Sequence, residues 1–334
     1  MRRFALVAAL LLAIPASASA QSVADFYRGK QIRVIVGSSA GDYDTWARLV
    51  VRYMRQYVPG NPSFVVENMP GAGSLIAANY LYNKAAQDGT VLGSVSRNIP
   101  NYAFTKKPNV QFDPLKFRWI GSPEMTHRAC YARTDAGVTT PEDLYRRELL
   151  FGGDGAGTSL SEMPTLLKNL LGMKFRVIDG YKGSTDIVLA MERNEVAGLC
   201  QTVMAFAQAG QHLLDKGIVR VLFTTEKDRV PEFNVPTVFE YAKTDEQRDI
   251  LAFHASSLET GRPILTPPGI PEDRLDALRR AYDATMTDAG LLAEAKQRNM
   301  KVDPRTGEQI EAVLRAIASL PPELIAKAGE MARK

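Results

Sequence analysis

Short β-branched runs alternate with longer amphipathic segments from Gln31 onward, and this alternation is typical of an α/β protein with largely parallel sheets. The first unit has a buried strand at 32–36, a small-residue turn at 37–42, and apolar residues at helical spacing over 44–57. The pattern then repeats. Further strands are predicted at 63–67, 91–95, within 119–133, and at 148–152, 176–179, 196–201 and 219–223, with helices at 74–84, 141–146, 161–171, 185–193, 205–214 and in the tail from 271.

These elements form two sets, and the chain length also favours two lobes over one core. The segment 119–133 passes into the second set, and strand 219–223 returns from it. We therefore expect one discontinuous lobe made of 21–124 plus 223–334 and a second lobe at 125–222. Two crossings would form a hinge, and the strand-to-helix turns of both lobes should face the cleft, because ligands of open α/β sheets bind outside the carboxyl ends of the strands.

The first twenty residues are typical of a secretory signal peptide. Arg2 and Arg3 precede an apolar run at 4–14 and a small-residue tract at 16–20. The apolar run is about half the length that a bilayer span needs. We expect cleavage after Ala20 and a soluble, monomeric protein in the periplasm.

The charge balance gives no sign of a nucleic-acid partner. The 41 basic and 37 acidic side chains are dispersed along the chain, and no basic stretch is interleaved with aromatic residues. Recognition must then depend on local geometry.

The chain has two cysteines, Cys130 and Cys200, each inside a β-like segment. An oxidising compartment would allow a disulfide, provided that the two segments are neighbours in one lobe. The alternative is two buried free thiols, which behave as small apolar side chains. The sequence leaves both open.

Four strand-to-helix turns are rich in glycine and hydroxyl residues. Unpaired amides at a helix start form an anion site, and glycine lets a ligand approach the main chain. At a single turn, helix capping would be sufficient to explain the glycine and hydroxyl residues. Four such turns, divided between two lobes, favour anion binding. The turns are 37–41, 70–74, 152–159 and 180–185.

The sequence contains no recognisable catalytic set. The three histidines, His127, His212 and His254, do not stand at metal-ligand spacings, and neither a nucleophile elbow nor a phosphate-binding loop is present. We therefore predict binding rather than catalysis, with no metal and no cofactor.

Three blocks resemble the Bug family, the TctC-type receptors of tripartite tricarboxylate transporters. They are the strand and helix start at 29–48, the Glu-Asn-Met-Pro-Gly-Ala-Gly-Ser block at 67–74, and Asp-Gly-Thr-Val-Leu-Gly at 88–93, with shorter matches at 132–135, 180–183, 261–263 and 267–271. The resemblance implies a two-lobed type II periplasmic-binding-protein fold that closes on a small organic acid, a carboxylate, held by main-chain amides, hydroxyls and waters. It also implies delivery of that ligand to membrane permease subunits.

The first turn departs from the family pattern, because Asp42 stands where relatives carry glycine before the Tyr43-Asp44 pair. An inward carboxylate would repel an anion. Either Asp42 faces solvent or caps the following helix, or the ligand has shifted toward a hydroxylated, amidic or cationic compound.

From these turns we predict one set of ligand contacts in each lobe, and closure of the two lobes would bring the sets together. Two other functions stay open: an exported hydrolase of low sequence signature, which would release product, and a sensor that signals to a membrane kinase. The nominated contacts are Ser38, Ser39, Tyr43, Ala72, Ser74, Arg97 and Asn98 in the first lobe, and Thr158, Ser159, Tyr181, Lys182 and Gly183 in the second.

Overall fold

The computed structural model describes residues 22–155 and 158–333, and it contains two separate β-sheets flanked by helices. The proposed signal peptide and the tip of the third turn at 156–157 lie outside the described residues. No helix in the described ranges has both the length and the apolar character needed to cross a bilayer.

The strands in chain order are β1 (Gln31–Val36), β2 (Ser63–Asn68), β3 (Val91–Ser94), β4 (Arg118–Ser122), β5 (Arg128–Arg133), β6 (Leu149–Gly152), β7 (Phe175–Ile178), β8 (Gly198–Thr202), β9 (Val219–Thr224), β10 (Ile264–Thr266) and β11 (Arg305–Thr306).

The α-helices in chain order are α1 (Val23–Tyr27), α2 (Asp42–Met54), α3 (Leu75–Asn83), α4 (Ile99–Phe104), α5 (Ser159–Leu171), α6 (Ser184–Glu192), α7 (Val203–Asp215), α8 (Asp245–Thr260), α9 (Glu272–Met286), α10 (Ala289–Gln297), α11 (Gly307–Ala318) and α12 (Pro322–Met331). The segment Pro141–Tyr145, expected as a helix, is a short 3-10 turn.

The first sheet has the order β11-β4-β10-β3-β1-β2. Strands β1, β2 and β3 pair in parallel, while β10 pairs antiparallel with β3 and β4. The carboxyl ends of β1, β2 and β3 therefore lie at the same edge. The first two turns and the start of α4 follow from that edge.

The second sheet has the order β7-β6-β8-β5-β9. Strands β6, β7 and β8 are parallel, and β5 is antiparallel to β8 and β9. Both sheets are thus mixed, with parallel strands beneath the four glycine-rich turns, and all four turns open helices as predicted. The segment 119–133, expected to pass from the first set of elements into the second, contains two strands in different sheets, β4 and β5, joined by the crossing at 123–127.

The packing differs from the expected lobe boundary in its C-terminal part. Strand β9 belongs to the second sheet, so the return crossing follows 224 rather than coinciding with 219–223. Helices α8 and α12 also share a core with the second sheet: Phe253 and Ala328 pack in one buried cluster with Phe151. The sequence pattern missed this because it shows that a helix is amphipathic but not which sheet its apolar face will cover.

The two cysteines are bonded to each other across neighbouring strands of the second sheet. Cys130 on β5 stands directly opposite Cys200 on β8, with the two Cα atoms 4.0 Å apart, and both residues are fully buried. The bond closes a loop with a sequence separation of 70. It restrains the unfolded chain as well as the sheet.

We predict that the Cys130→Ala/Cys200→Ala variant is less stable by about 2–5 kcal/mol, because the unfolded chain regains the freedom that the bond removes. Denaturant unfolding with and without reductant measures this loss. The wild-type protein should approach the variant when reduced. A wild-type midpoint that reductant leaves unchanged, with the thiols shown to be free, would contradict the prediction.

Candidate functional site

The first two glycine-rich turns of the first lobe enclose one concavity of about 340 Å³. Its walls come from turn 37–41, turn 70–74, Tyr43 at the start of α2, and Ser96, two residues after β3. Of the nominated residues, Ser38, Ser39, Tyr43 and Ser74 line it, together with Gly37, Pro70, Gly71, Gly73 and Ser96. The structure therefore brings these two turns together as the strand order predicts.

Ser74 joins the three segments that form the concavity. Its hydroxyl donates to the carbonyl of Gly37 at 2.9 Å and accepts the amide of Ser96 at 3.0 Å. A Cβ on Gly37 would lie 2.5 Å from that hydroxyl, so only glycine allows the approach. The nominated Ser74 hydroxyl is thus already used within the lobe, and its role is to position the turn.

The backbone of the second turn is left-handed at three successive residues, Ala72, Gly73 and Ser74, with φ of 47°, 64° and 73°. This conformation is costly for residues that carry a Cβ. Backbone strain of this kind concentrates at ligand sites. Ala72, a nominated contact, belongs to this strained turn but is not among the residues that line the concavity.

Asn68 fixes the first turn to its helix. Its side-chain amide donates to the carbonyl of Ser38 at 2.9 Å and to the carboxylate of Asp44 at 2.8 Å. Arg48 donates to the same carboxylate and to the Asn68 carbonyl. These bonds lower the pKa of Asp44, with Arg48 as the main cause. The asparagine of the sequence motif therefore holds the turn in place.

Two arginines meet at the crossing between the lobes. Arg97 and Arg262 each donate to the hydroxyl of buried Thr126 at 3.2 Å. The backbone amide of Arg97 donates to the Tyr43 hydroxyl at 3.1 Å, and the Arg262 guanidinium lies 4.8 Å from the Tyr43 ring centroid. Desolvation is the main cause that lowers the pKa of Arg97. The nominated Tyr43 and Arg97 therefore belong to a cationic cluster beside the concavity.

Asp42 is the partner of one of these arginines. Its carboxylate lies 3.2 Å from an Arg262 Nη atom and remains 59% exposed, at the first residue of α2. A carboxylate is favourable at a helix start, and here it also meets a buried cation. Asp42 therefore faces largely outward, which is one of the two alternatives considered from the sequence. Arg262 offsets its charge, and the sequence did not predict this pair.

A second cavity of about 750 Å³ lies where the lobes meet. Helix α4 of the first lobe faces α5 across it, and α8 and α12 complete its walls. Asn98 and Ser159, nominated from opposite lobes, both line this cavity. Sequence reasoning missed α4 and α8 as elements, and it missed Arg128, Glu162 and His254 in this wall.

Of the ligand contacts predicted in the second lobe, only Ser159 lines either cavity. The Thr158 hydroxyl donates back to the carbonyl of Gly155 at 2.7 Å, and Lys182 is exposed, with its amide directed to Asp186 at 3.4 Å. Neither of the two cavities is lined by Tyr181, Lys182 or Gly183. The described residues contain no group of three or more His, Cys, Asp or Glu side chains that could hold a metal.

The sequence matches the profile of the tripartite tricarboxylate transporter family receptor, TctC, over residues 47–309. The chain belongs to this family. The match confirms the resemblance seen in the sequence, and it makes the protein a solute-binding receptor of the TctC class. No curated protein matches the sequence.

Solved structures of TctC and Bug receptors share the fold. A TctC solute-binding protein from Polaromonas has a TM-score of 0.71 at 18% identity, covering 90% of this chain and 99% of that one. MatC from Rhodopseudomonas palustris with bound malate has a TM-score of 0.57 at 18% identity, covering 91% and 99%. A second R. palustris protein, with adipate, has a TM-score of 0.59 at 21% identity, covering 90% and 97%. The two-lobed periplasmic-binding fold is confirmed.

The ring of His254 lies between α8 and α12, in the wall of the 750 Å³ cavity. Its Nε2 donates to the carbonyl of Ala328 at 3.0 Å. Desolvation is the main cause that lowers the pKa of His254 to about 4 from its usual 6.5. The folded TctC receptor therefore holds this ring neutral where the unfolded chain would protonate it.

We predict that His254 makes the protein lose stability as pH falls from about 6.5 toward 4, since only the unfolded state takes up the proton in that window. The cost should reach about 2 kcal/mol, allowing for the exposed part of the ring. Denaturant unfolding of His254→Asn across this range should show a shallower slope than wild type. His212→Asn, on the surface beside Glu192, is the matched control. Equal slopes for wild type and His254→Asn would contradict the assignment.

Proposed function

We propose that this TctC-family receptor is exported to the periplasm, captures a small organic anion, specifically a carboxylate, and delivers it to the permease subunits of a tripartite tricarboxylate transporter. The observation that carries the proposal is the 340 Å³ concavity formed by two helix-start turns beside the Arg97 and Arg262 cations. Amides at a helix start favour an anion, and the nearby cations strengthen that preference.

The paired state of Asp42 supports an anionic ligand. Because Arg262 offsets the Asp42 charge, the carboxylate that departs from the family pattern does not by itself exclude an anion. Arg97 forms no direct ion pair among the described residues, and it interacts electrostatically with buried Glu124 and with Asp42. Malate and adipate occupy two proteins of the same fold, which agrees with a carboxylate here.

The binding reaction needs no chemical step. Ligand would enter the open cleft, contact the first-lobe turns, and hold the second lobe closed through contacts that exist only in the closed form. The closed pair of lobes would then be the surface that the permease recognises. The receptor should therefore return its ligand unchanged.

A charge substitution at Ser39 tests the anion site. Ser39 is exposed and lines the concavity, so Ser39→Glu should fold normally and weaken carboxylate binding by at least about tenfold through like-charge repulsion. Ser39→Gln, of the same size but neutral, is the matched control and should bind within a few-fold of wild type. Titration calorimetry of the purified receptor with di-, tri- and aromatic carboxylates measures both.

Three outcomes would count against the proposal. Equal affinities of Ser39→Glu and Ser39→Gln would show that the anion does not occupy this concavity. Binding of neutral amides or cations with no binding of any carboxylate would overturn the ligand class. Recovery of a chemically altered ligand after incubation would favour an exported hydrolase.

A further inference from the structure

Glu124 is a buried acidic residue on the crossing that follows β4. It is 4% exposed, and its Oε2 atom accepts the indole N–H of buried Trp46 at 2.8 Å. Its backbone carbonyl accepts the hydroxyl of Ser122 at 2.9 Å, and the same hydroxyl accepts the backbone amide of Arg262 at 2.8 Å. Glu124 lines neither cavity, so it acts on a bound anion through its charge and not by contact.

The charged side chains that face the Glu124 carboxyl belong to the cationic cluster beside the concavity. Arg262 follows α8, Arg97 lies between β3 and α4, and Asp42 is the first residue of α2. Arg262 is 6% exposed, so little water screens its attraction for Glu124. Glu124 therefore supplies a buried negative charge to the same two arginines that attract an anion to the concavity.

Two other titratable side chains near this crossing face each other instead of Glu124. Asp303 forms a β-bridge with Glu124 through its backbone, but its carboxylate lies 3.5 Å from Nε2 of His127. Nδ1 of the same ring lies 3.6 Å from the carboxylate of Glu226. The imidazole thus faces these two carboxylates, whereas Glu124 faces the arginines.

The ionised form of Glu124 depends on those arginines. Burial raises the pKa of the Glu124 carboxyl above its ordinary 4.5, while Arg262 and the Trp46 indole act to lower it, as Arg97 does to a smaller extent. Burial by itself favours the neutral acid, so the positive charges of the arginines are what hold the carboxyl ionised. A second anion that engaged the same arginines would weaken this support.

Tyr43 connects the concavity to the two arginines. It lines the concavity, its hydroxyl accepts the backbone amide of Arg97 at 3.1 Å, and its ring centroid lies 4.8 Å from the Arg262 guanidinium. An anion in the concavity is therefore one aromatic ring away from the cationic cluster. At this depth its charge is screened less than in bulk water, so it attracts the arginines and repels Glu124.

We propose that Glu124 couples ligand binding to protonation: a carboxylate in the concavity replaces the Glu124 charge beside Arg97 and Arg262, and Glu124 takes up a proton from the solvent. The proton would bind Oε1, because Oε2 already accepts the Trp46 indole. The inference rests on the proposed function and deepens it by naming a regulation of the same site.

The sign of the pH dependence follows from this exchange of charges. The incoming anion raises the pKa of Glu124 further, so the complex holds more protons than the free receptor. Carboxylate affinity therefore increases as pH falls through the range above 4.5 in which Glu124 titrates. Asp42 is 59% exposed, and water already stabilises its charge, so the buried carboxyl is the one that responds.

Titration calorimetry in buffers of different ionisation enthalpy counts the protons taken up on binding. The ligands are the di-, tri- and aromatic carboxylates of the preceding experiment, malate and adipate included, measured from pH 5.5 to 8. The wild-type receptor should take up as much as one proton per carboxylate ligand bound. Its affinity should rise by at least about threefold between pH 8 and pH 5.5, relative to a variant that cannot take up this proton.

Glu124→Gln is that variant, because glutamine still offers an oxygen to the Trp46 indole but does not titrate. At pH 8 it should bind the same carboxylates at least about threefold more tightly than wild type, since the repelling charge is gone. The two affinities should converge as pH falls. Glu259→Gln is the matched control: burial also raises the pKa of Glu259, which lines neither cavity, and this variant should match wild type in affinity and proton count.

Several results would overturn the proposal. One is a Glu124→Gln variant with the wild-type proton count, or one that binds more weakly than wild type at pH 8, which would assign Glu124 a structural role. Another is loss of proton uptake in Glu162→Gln and not in Glu124→Gln, since burial raises the pKa of Glu162 in the wall of the larger cavity. The wild-type count needs no variant, and no uptake at any pH in the range would also overturn it.

The outcomes separate this inference from the proposed function. If carboxylates bind the wild-type receptor without proton uptake, the coupling through Glu124 is wrong and the carboxylate receptor stands. If no carboxylate of the series binds wild type, the proposed function fails and the coupling fails with it.

Discussion

The central constraint in this molecule is a cluster of largely buried arginines where the two lobes meet. Arg262 forms an ion pair with Asp42, and Arg97 donates to the Thr126 hydroxyl. The buried carboxyl group of Glu124 interacts electrostatically with both arginines. A desolvated charge is tolerated when an opposite charge and hydrogen bonds compensate for the water it has lost. In a receptor for an anion, part of that opposite charge can come from the bound ligand.

The fold places these charges where a ligand can meet them. The parallel strands of each sheet end at one edge, so their glycine-rich turns gather there, and the crossing after β4 carries Thr126 and Arg128 to the same region. Hydrogen bonds from Asn68 and Ser74 hold the first-lobe turns in a fixed shape before any ligand arrives. This preorganisation lowers the entropic cost of binding.

Local features could be predicted from the sequence, and features that depend on tertiary packing could not. The four turns, their helices and the family membership were correct, because glycine, serine and β-branched runs act over a few neighbouring residues. The Asp42–Arg262 pair joins positions 220 residues apart, and no local pattern announces it. Helix α8 covers the second sheet although it lies between strands of both, so the cavity containing Arg128 and Glu162 could not be foreseen. The roles of Tyr181, Lys182 and Gly183 remain predictions, since neither cavity reaches them.

The most direct measurement is a crystal structure of the receptor co-crystallised with its tightest-binding carboxylate. The account predicts closed lobes and a ligand carboxylate against the amides of the turns at 37–41 and 70–74. A carboxylate bound away from the concavity that these two turns form would contradict it.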